Sequence, residues 1–576
     1  MRRGSERMRV ILNRMGRLAW LAASGPGAWK GLWLFALILT LEFVGVWLSV
    51  QMINWSRAFY DALEQLDAAE ALRQIGVFGL IVAVLSASTL SGAWLRKWLQ
   101  IGWRQRLTDR ALTLWLDGGA YWHLRPGLSP QPVENPDQRI AQDCAQFISY
   151  LLEFTLDLIT RVVSLITYLA VLWSLSNFPL SLGFLGIEAE IPRYMVWASF
   201  LYVFGSSLIT HWLGRPIKRL AYDQERYEAD FRHALVQVRD GADQIAQAGG
   251  ERAERRRLDR RFDSLRANWK RLIGQEFILG LFVTPYYRTV LRIPTFLALP
   301  AYFGGAVTLG GLMQLASAFS NVTTTLSWFI FDYSKLARFV AVSERLEGLF
   351  SAASAPQPAP DVPRALEVTS GGDGLLRLRD LRLYTPSGQA LDPVPDTTIR
   401  PGQRVWIHGA SGRGKTTLLS ALRGVWPYGT GRVSLPEAPI LALPQQPLAF
   451  AEGLLPTLTY PHDPASFDSA LLEGILRKVG LERRIGGPDG PEALQGLSMG
   501  ERQRLALARV LLLKPAWVLL DEATSALDPA SEARLLALLR NDLPRSTILC
   551  VAHRVPAGLD HDSELWIGPD DERMTA

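Results

Sequence analysis

The chain has 576 residues, too many for one compact domain and enough for two or three. Apolar residues make up 48% and charged residues 20%, with 19 Trp and 23 Phe and a mean hydropathy of +0.10, values that lean towards a membrane protein. The formal charge of +6 suits either nucleic acid or the Arg-rich loops of a membrane protein, and Cys144 and Cys550, far apart, exclude a disulfide framework and read as reduced cytosolic thiols.

The first residues carry Arg2, Arg3, Arg7, Arg9, Arg14 and Arg17 against a single Glu6. Met8, Ile11, Leu12, Met15, Leu18 and Ala19 share a helical face opposite Arg9, Arg14 and Arg17. That pattern suits a helix lying on a membrane surface or a few turns of tail. Beyond it come windows long enough to cross a bilayer, which needs about 20 mostly apolar residues. The first spans Gly31 to Trp55, broken only by Glu42, and the second lies between Arg73 and Arg96. The third follows Arg161 and stays uncharged until Glu188, and the fourth sits between Arg193 and Arg215. Ile293 to Phe331 is one uncharged stretch too long for a single helix. AYFGGAVTLGG (Ala301 to Gly311) offers a turn in it, and Phe277 to Tyr287 starts the preceding span, so six spans are predicted. The first apolar run is too long for a cleaved signal peptide, and no small-residue cleavage site follows it.

Orientation follows from the basic residues. Arg96, Lys97, Arg104, Arg106 and Arg110 follow the second span, whereas the loop after the first holds Asp61, Glu64, Asp67 and Glu70. The N-terminus, the two long loops and the C-terminal half are therefore predicted to be cytoplasmic. The mixed-charge stretch Arg215 to Arg271 resembles a nucleic-acid patch in isolation, but reads better as long helices with solvated faces joining spans four and five. A Pro/Ala/Ser-rich string, Ser351 to Pro363, then marks a linker. The predicted domains are 1–30 (cytoplasmic N-terminus with a candidate interfacial helix), 31–350 (transmembrane), 351–365 (linker) and 366–576.

In that last domain, alternating Leu376, Leu378, Leu381 and Leu383 suggest strands, and RVWIHG (Arg404 to Gly409) reads as a buried one. It runs into Gly409, Ala410, Ser411, Gly412, Arg413, Gly414, Lys415 and Thr416, then a helix opening at Thr417. A strand, glycine-rich loop and helix in this order form a phosphate-binding loop. The glycines let backbone N–H groups turn inward at a helix N-terminus, Lys415 reaches the β- and γ-phosphates, and the Thr416 hydroxyl ligates Mg²⁺. WVLLDE (Trp517 to Glu522) is a buried strand ending in two carboxylates. Asp521 is suited to hold Mg²⁺ and Glu522 to polarise an attacking water. LSMGERQR (Leu497 to Arg504) opens a helix where Ser498 and the N–H groups around Gly500 form a candidate anion site.

These strings, in this order, resemble the ABC transporter superfamily. GASGRGKT resembles Walker A, Gln445 the Q-loop, LSMGE the signature and WVLLDE Walker B. SALD (Ser525 to Asp528) resembles the D-loop, and His553 in CVAHR the switch histidine. The resemblance covers residues 366–576. It implies that Tyr384 stacks on adenine, Glu522 is the general base, His553 contacts the γ-phosphate and Gln445 links Mg²⁺ to the membrane domain. Met499 stands where the signature usually has Gly, while Ser498, Gly500 and Glu501 keep the pattern. NPDQRIAQD (Asn135 to Asp143), EADFRHAL (Glu228 to Leu235) and LGGLMQLASAF (Leu309 to Phe319) resemble the SbmA/BacA-related and subfamily D half-transporters. The implied fold is a membrane α-helical bundle of six transmembrane helices, of the ABC exporter type, plus an α/β P-loop NTPase domain.

One cassette per chain implies a homodimer, with ATP and Mg²⁺ between Walker A of one copy and Ser498, Met499, Gly500, Glu501 and Asp528 of the other. The implied activity is an ATPase coupled to transport across a bacterial inner membrane, with the lipid bilayer and a solute as partners and no nucleic acid. Uptake of peptides, cobalamin or other bulky hydrophilic solutes leads, with export of lipids or amphiphilic compounds as the alternative. A soluble nucleic-acid ATPase leaves the apolar spans unexplained, and a proton-driven carrier with an inert cassette conflicts with Glu522 and His553. Glu42 in mid-span either lines the path, with Arg288 or Arg292 of the fifth span, or is a neutral hydrogen-bonded Glu between helices or near the membrane edge.

Overall fold

The computed structural model describes residues 2–125, 128, 133, 135–181, 190–290, 292–354, 362–448, 450, 452–485 and 496–568. Contacts divide the chain into two units, one of Met1–Gly118 with Glu134–Ser354 and one of Gly119–Val133 with Ala355–Ala576.

The first unit is helical. An N-terminal helix α1 (Arg2–Ala23) precedes α2 (Ala28–Glu64) and α3 (Ala68–Leu116). The acidic residues at the end of α2 and just before α3 act as caps. Asp67 accepts hydrogen bonds from the N–H groups of Ala69 (3.1 Å) and Glu70 (3.0 Å), opening α3. Glu64 and Asp61 accept from the N–H groups of Leu309 (2.9 Å) and Gly310 (3.0 Å), the free donors at the start of a later helix. Gly310 admits no side chain, since a Cβ there would lie 2.2 Å from the Arg57 carbonyl oxygen.

After a short α4 (Ala120–His123), which belongs to the second unit, α5 (Pro136–Gln138) passes through a π-helical turn (Arg139–Asp143) into α6 (Cys144–Leu175). Asp143, 2% exposed, is locked there by both nitrogens of the Arg345 fork at 2.8 Å. The third span differs from the expectation. Its helix ends at Leu175, and Leu180–Ser181 (β1) pairs antiparallel with Glu190–Ile191 (β2). The run Ser176-Asn177-Phe178-Pro179 ends it, because a residue before proline is pushed out of the α region. Helical length comes from upstream instead, so Glu153, Asp157 and Arg161 lie inside α6. Glu188 falls outside the described residues.

Two long helices, α7 (Tyr194–Asp240) and α9 (Glu251–Val290), run antiparallel and are joined by α8 (Ala242–Ala248). Asn268, 5% exposed, donates across them to the Leu220 carbonyl (2.9 Å) and the Gln224 side chain (3.0 Å). The unit closes with α10 (Ile293–Phe303) and α11 (Leu309–Ser354), separated by the glycine turn at Gly304 and Gly305. Among the described residues four helical stretches are long and apolar enough to cross a membrane: Ala28–Glu64, Ala68–Leu116, Pro136–Leu175 and Tyr194–Asp240. The stretch expected to supply spans five and six is divided among α9, the short α10 and α11. Helix α11 continues through Ser354, so the expected linker begins as helix, and residues 355–361 lie outside the described residues.

The second unit is α/β. A mixed sheet, in the order β3-β7-β4-β5, comprises β3 (Arg364–Gly371), β4 (Leu376–Leu383), β5 (Thr397–Ile399) and β7 (Gly429–Pro436). A parallel sheet, in the order β11-β6-β10-β9-β8, comprises β6 (Arg404–His408), β8 (Ile440–Leu443), β9 (Trp517–Asp521), β10 (Thr547–Val551) and β11 (Ser563–Trp566). Leu376, Leu378, Leu381 and Leu383 are all at most 2% exposed. Their spacing slips by one residue at a bulge between Arg379 and Arg382, where Asp380 takes φ 51 and returns the last two leucines to the core face. Burying each of those side chains stabilises the unit by about 1.5–3 kcal/mol.

Candidate active site

Strand β6 is the base of the site. It is apolar and buried at Val405, Trp406 and Ile407, lies between β10 and β11, and runs into Gly409 after His408. A Cβ on Gly409 would come within 2.1 Å of the Ile567 carbonyl oxygen, and its φ of 148 is one L side chains avoid. Gly412 and Gly414 also take positive φ, 81 and 99, so the loop can curl before α12 (Lys415–Leu422). Lys415 is 6% exposed, and its ammonium donates to the carbonyls of Gly409 (2.8 Å) and Ala410 (2.9 Å). Burial lowers its pKa, while the nearby Glu522 and Asp521 carboxylates pull it back up. Ser411 is exposed, and Arg413 pairs with Asp392 at 3.3 Å.

Strand β9, buried along its whole length, delivers Asp521 beside this loop. The Thr416 hydroxyl, next to the half-buried Thr417, donates to Asp521 Oδ1 at 3.2 Å. Burial raises the Asp521 pKa, the Thr416 hydrogen bond lowers it, Glu522 raises it further and Lys415 lowers it. Glu522 then turns out of the strand with φ 48. Its carboxylate accepts from Gln445 Nε2 at 2.7 Å and lies 2.9 Å from His553 Nε2. The structure thus brings two residues from separate stretches of sequence onto the carboxylate of a third. Among the described residues no group of three or more His, Cys, Asp or Glu side chains could hold a metal alone. A hydroxyl beside one carboxylate is the hard-oxygen set that Mg²⁺ takes when phosphate and water oxygens complete its octahedron.

Ser498 starts α15 (Met499–Leu513), following α13 (Leu454–Thr459) and α14 (Ser469–Lys478) in the chain. Its hydroxyl accepts from the Glu501 N–H at 3.3 Å, and Glu501 accepts back from the Ser498 N–H at 2.9 Å, a reciprocal cap. Burial alone would raise the Glu501 pKa, but the Ser498 N–H and the Arg484 guanidinium, 3.0 Å away, hold it below the usual range. Met499 is 43% exposed. Gly500 passes close to the D-loop string, for a Cβ there would lie 3.2 Å from the Ala526 carbonyl oxygen. Asp528 caps α16 (Pro529–Asp542) by accepting from the Ser531 N–H at 3.0 Å.

Sequence reasoning missed Gln503. Only 1% exposed, it donates to Ser525 Oγ (3.2 Å) and accepts from the Ala526 N–H (2.9 Å), tying the signature helix to the D-loop. A glutamine in a charged helix opening carries no signal of that burial. Also unforeseen is the docking of Gly119–Val133 within this unit. Trp122 Nε1 donates to the Val425 carbonyl at 2.8 Å, and Tyr428 OH donates to the Leu128 carbonyl at 2.6 Å. Tyr384, half-buried, packs against the same cluster and Trp426. Asn135–Asp143 belongs to the helical unit, where Arg345 holds both Arg139 and Asp143.

In the helical unit the charges around Glu42 are Asp157, Arg96 and Arg161, not the expected Arg288 or Arg292. Arg96 and Asp157 pair at 3.5 Å. The reason is packing: α2 lies against α3, α6 and α11, whereas α9 lies against α7, leaving Arg288 and Arg292 exposed.

A glycine-rich strand–loop–helix, a buried carboxylate beside it and a second carboxylate held between Gln445 and His553, on a chain that also carries long apolar helices, are the parts of an ATP-driven membrane transporter. The chain belongs to the ABC transporter family. Residues 25–293 match the ABC transporter transmembrane region 2 and residues 394–525 the ABC transporter domain. It is 34% identical to the inner membrane ABC transporter ATP-binding protein YddA of Escherichia coli, over 90% of each chain. It is 28% identical to ABC transporter D family member 2, chloroplastic, of Arabidopsis thaliana, over 93% of this chain and 83% of the relative. Identity is 27% to the human lysosomal cobalamin transporter ABCD4, over 90% of this chain and 89% of that protein.

Proposed function

We propose that two copies of this chain form a homodimeric importer of peptides, cobalamin or similarly bulky hydrophilic solutes in a bacterial inner membrane, with both termini cytoplasmic. The observation that carries it is the Gln445–Glu522–His553 constellation, complete in one chain together with Ser498, Gly500 and Asp528, so each of two composite sites is competent. Thr416, Asp521 and Gln445 would hold Mg²⁺, which supplies charge neutralisation to the phosphates when bound. Glu522 takes the proton of the attacking water while Lys415 leaves the loop carbonyls for the phosphates, and His553 positions the γ-phosphate. Gly119–Val133, anchored by Trp122 and Leu128 beside Tyr384, carries the nucleotide-driven motion back to the helices. Similarity to a cobalamin transporter and to D-family members supports the cargo class, and the charged set Glu42, Arg96, Asp157 and Arg161 supports a polar path. Uptake and substrate-stimulated ATPase in proteoliposomes, across peptides and cobalamin, test the reading. Solute moving away from the nucleotide-binding side, in vesicles of known orientation, would overturn import.

A further inference from the structure

We infer that the elbow between α1 and α2 is a binding site for one anionic phospholipid. Two independent features meet there. The first is a pocket of about 260 Å³, walled almost entirely by apolar atoms of Trp20 and Ala23 (α1), Phe35 (α2), Trp103 (α3), and Leu151 and Thr155 (α6). Its chemistry accepts a hydrocarbon chain, not a polar solute.

The second is a row of donors that starts at Trp103 in its wall and continues along α3, with the Arg110 guanidinium 6.0 Å from the ring of Trp20, another wall residue. Trp103 Nε1, Arg106 Nη1 and Arg110 Nη1 are buried without hydrogen-bond partners. Trp103 itself is only 7% exposed. The three residues are spaced to lie on one face of α3, one helical turn apart. One further nitrogen of each guanidinium already uses the elbow, Arg106 Nη2 donating to the Gly27 carbonyl (3.0 Å) and Arg110 Nη2 to the Ser24 carbonyl (3.3 Å). Unmet donors, two of them cationic, are costly inside a protein, and oxygens of an anion are the acceptors that relieve them.

The elbow is built on glycine. It is Ser24-Gly25-Pro26-Gly27, with Gly25 at φ 118 and Gly27 at φ 69, and Gly31 lies so close to Trp103 that a Cβ would sit 2.7 Å from Nε1. The surrounding surface fits the headgroup level of a bilayer. Trp20, Trp29, Trp33, Trp94 and Trp98 are each at least 56% exposed on α1–α3, as interfacial tryptophans are. A chain in the pocket and a phosphate at the arginines describe a phospholipid lying with its headgroup under the elbow. The assignment rests on the helical unit lying in a bilayer, not on the cargo.

Native mass spectrometry and thermal unfolding of the delipidated full-length transporter, titrated with phosphatidylglycerol, phosphatidylcholine or glycerol phosphate, test it. Wild type should retain phosphatidylglycerol and unfold at a higher temperature with it. The double substitution Arg106→Gln, Arg110→Gln should cut the preference for phosphatidylglycerol over phosphatidylcholine by about tenfold. Ala23→Trp, which fills the pocket and keeps both arginines in the sequence, should abolish retention of both lipids. An undiminished preference in the double variant, lipid retention in Ala23→Trp, or equal protection by glycerol phosphate alone would each overturn the inference. Cargo-stimulated ATPase, measured in parallel, reports separately on the transport reading.

Discussion

Replacing Glu522 with glutamine isolates the base from the scaffold. The amide has nearly the same shape, and its oxygen still accepts from Gln445 Nε2, which sits 2.7 Å from the native carboxylate. Gly409–Lys415, Thr416 and Asp521 are untouched, so ATP should bind with near-native affinity. What disappears is the carboxylate proposed to take the proton of the attacking water, which lies 2.9 Å from His553 Nε2. General-base catalysis contributes about 10²–10⁴-fold, or roughly 2.7–5.4 kcal/mol at ~1.36 kcal/mol per factor of ten. His553 is 55% exposed and remains beside the site, so the loss should fall within that range instead of beyond it. The assay is phosphate release by reconstituted wild type and variant at saturating Mg-ATP, alongside equilibrium binding of a labelled nucleotide. Turnover within tenfold of wild type, with binding intact, would refute the assignment of Glu522 as base.

Asp521→Asn should abolish hydrolysis yet raise the unfolding temperature of the nucleotide-free protein, because burial disfavours the native carboxylate. The folded pKa lies above the unfolded one, so the native aspartate is comfortable when protonated and loses stability as pH rises. The gap in unfolding temperature should therefore widen above the ordinary carboxylate range, and a gap independent of pH would count against this. Arg345→Ala should cost about 3 kcal/mol, seen as a drop in thermal-unfolding midpoint, since it strands the buried Asp143 charge; Asp143→Asn should cost less. Cys550 is fully buried, which pushes its thiol pKa up to about 12. It should resist alkylation at pH 8 in native protein and react on unfolding, as followed by mass spectrometry.

Much of the site was legible before any fold was known because its residues are consecutive. A loop from Gly409 to Thr416 and a strand ending at Asp521, with Glu522 next, owe their shape to local backbone geometry, and local geometry is written in adjacent residues. The apolar runs were legible for a similar reason, since a spanning helix satisfies its own backbone. Helix ends were less so: α6 stopped at Leu175, where a proline two turns short of the expected boundary outweighed continued hydrophobicity.

Tertiary structure alone decided which distant groups meet. That Gln445 and His553 share one carboxylate, that Gln503 is buried between signature and D-loop, and that Trp122 and Leu128 dock beside Tyr428 depend on chain crossings no window of sequence contains. Glu42 is the plainest case. Its neighbours are Asp157, Arg96 and Arg161, because the face of α2 that carries it packs on α3 and α6. A helix's own pattern can mark a costly charge, but the partner of that charge is set by which helices pack against it.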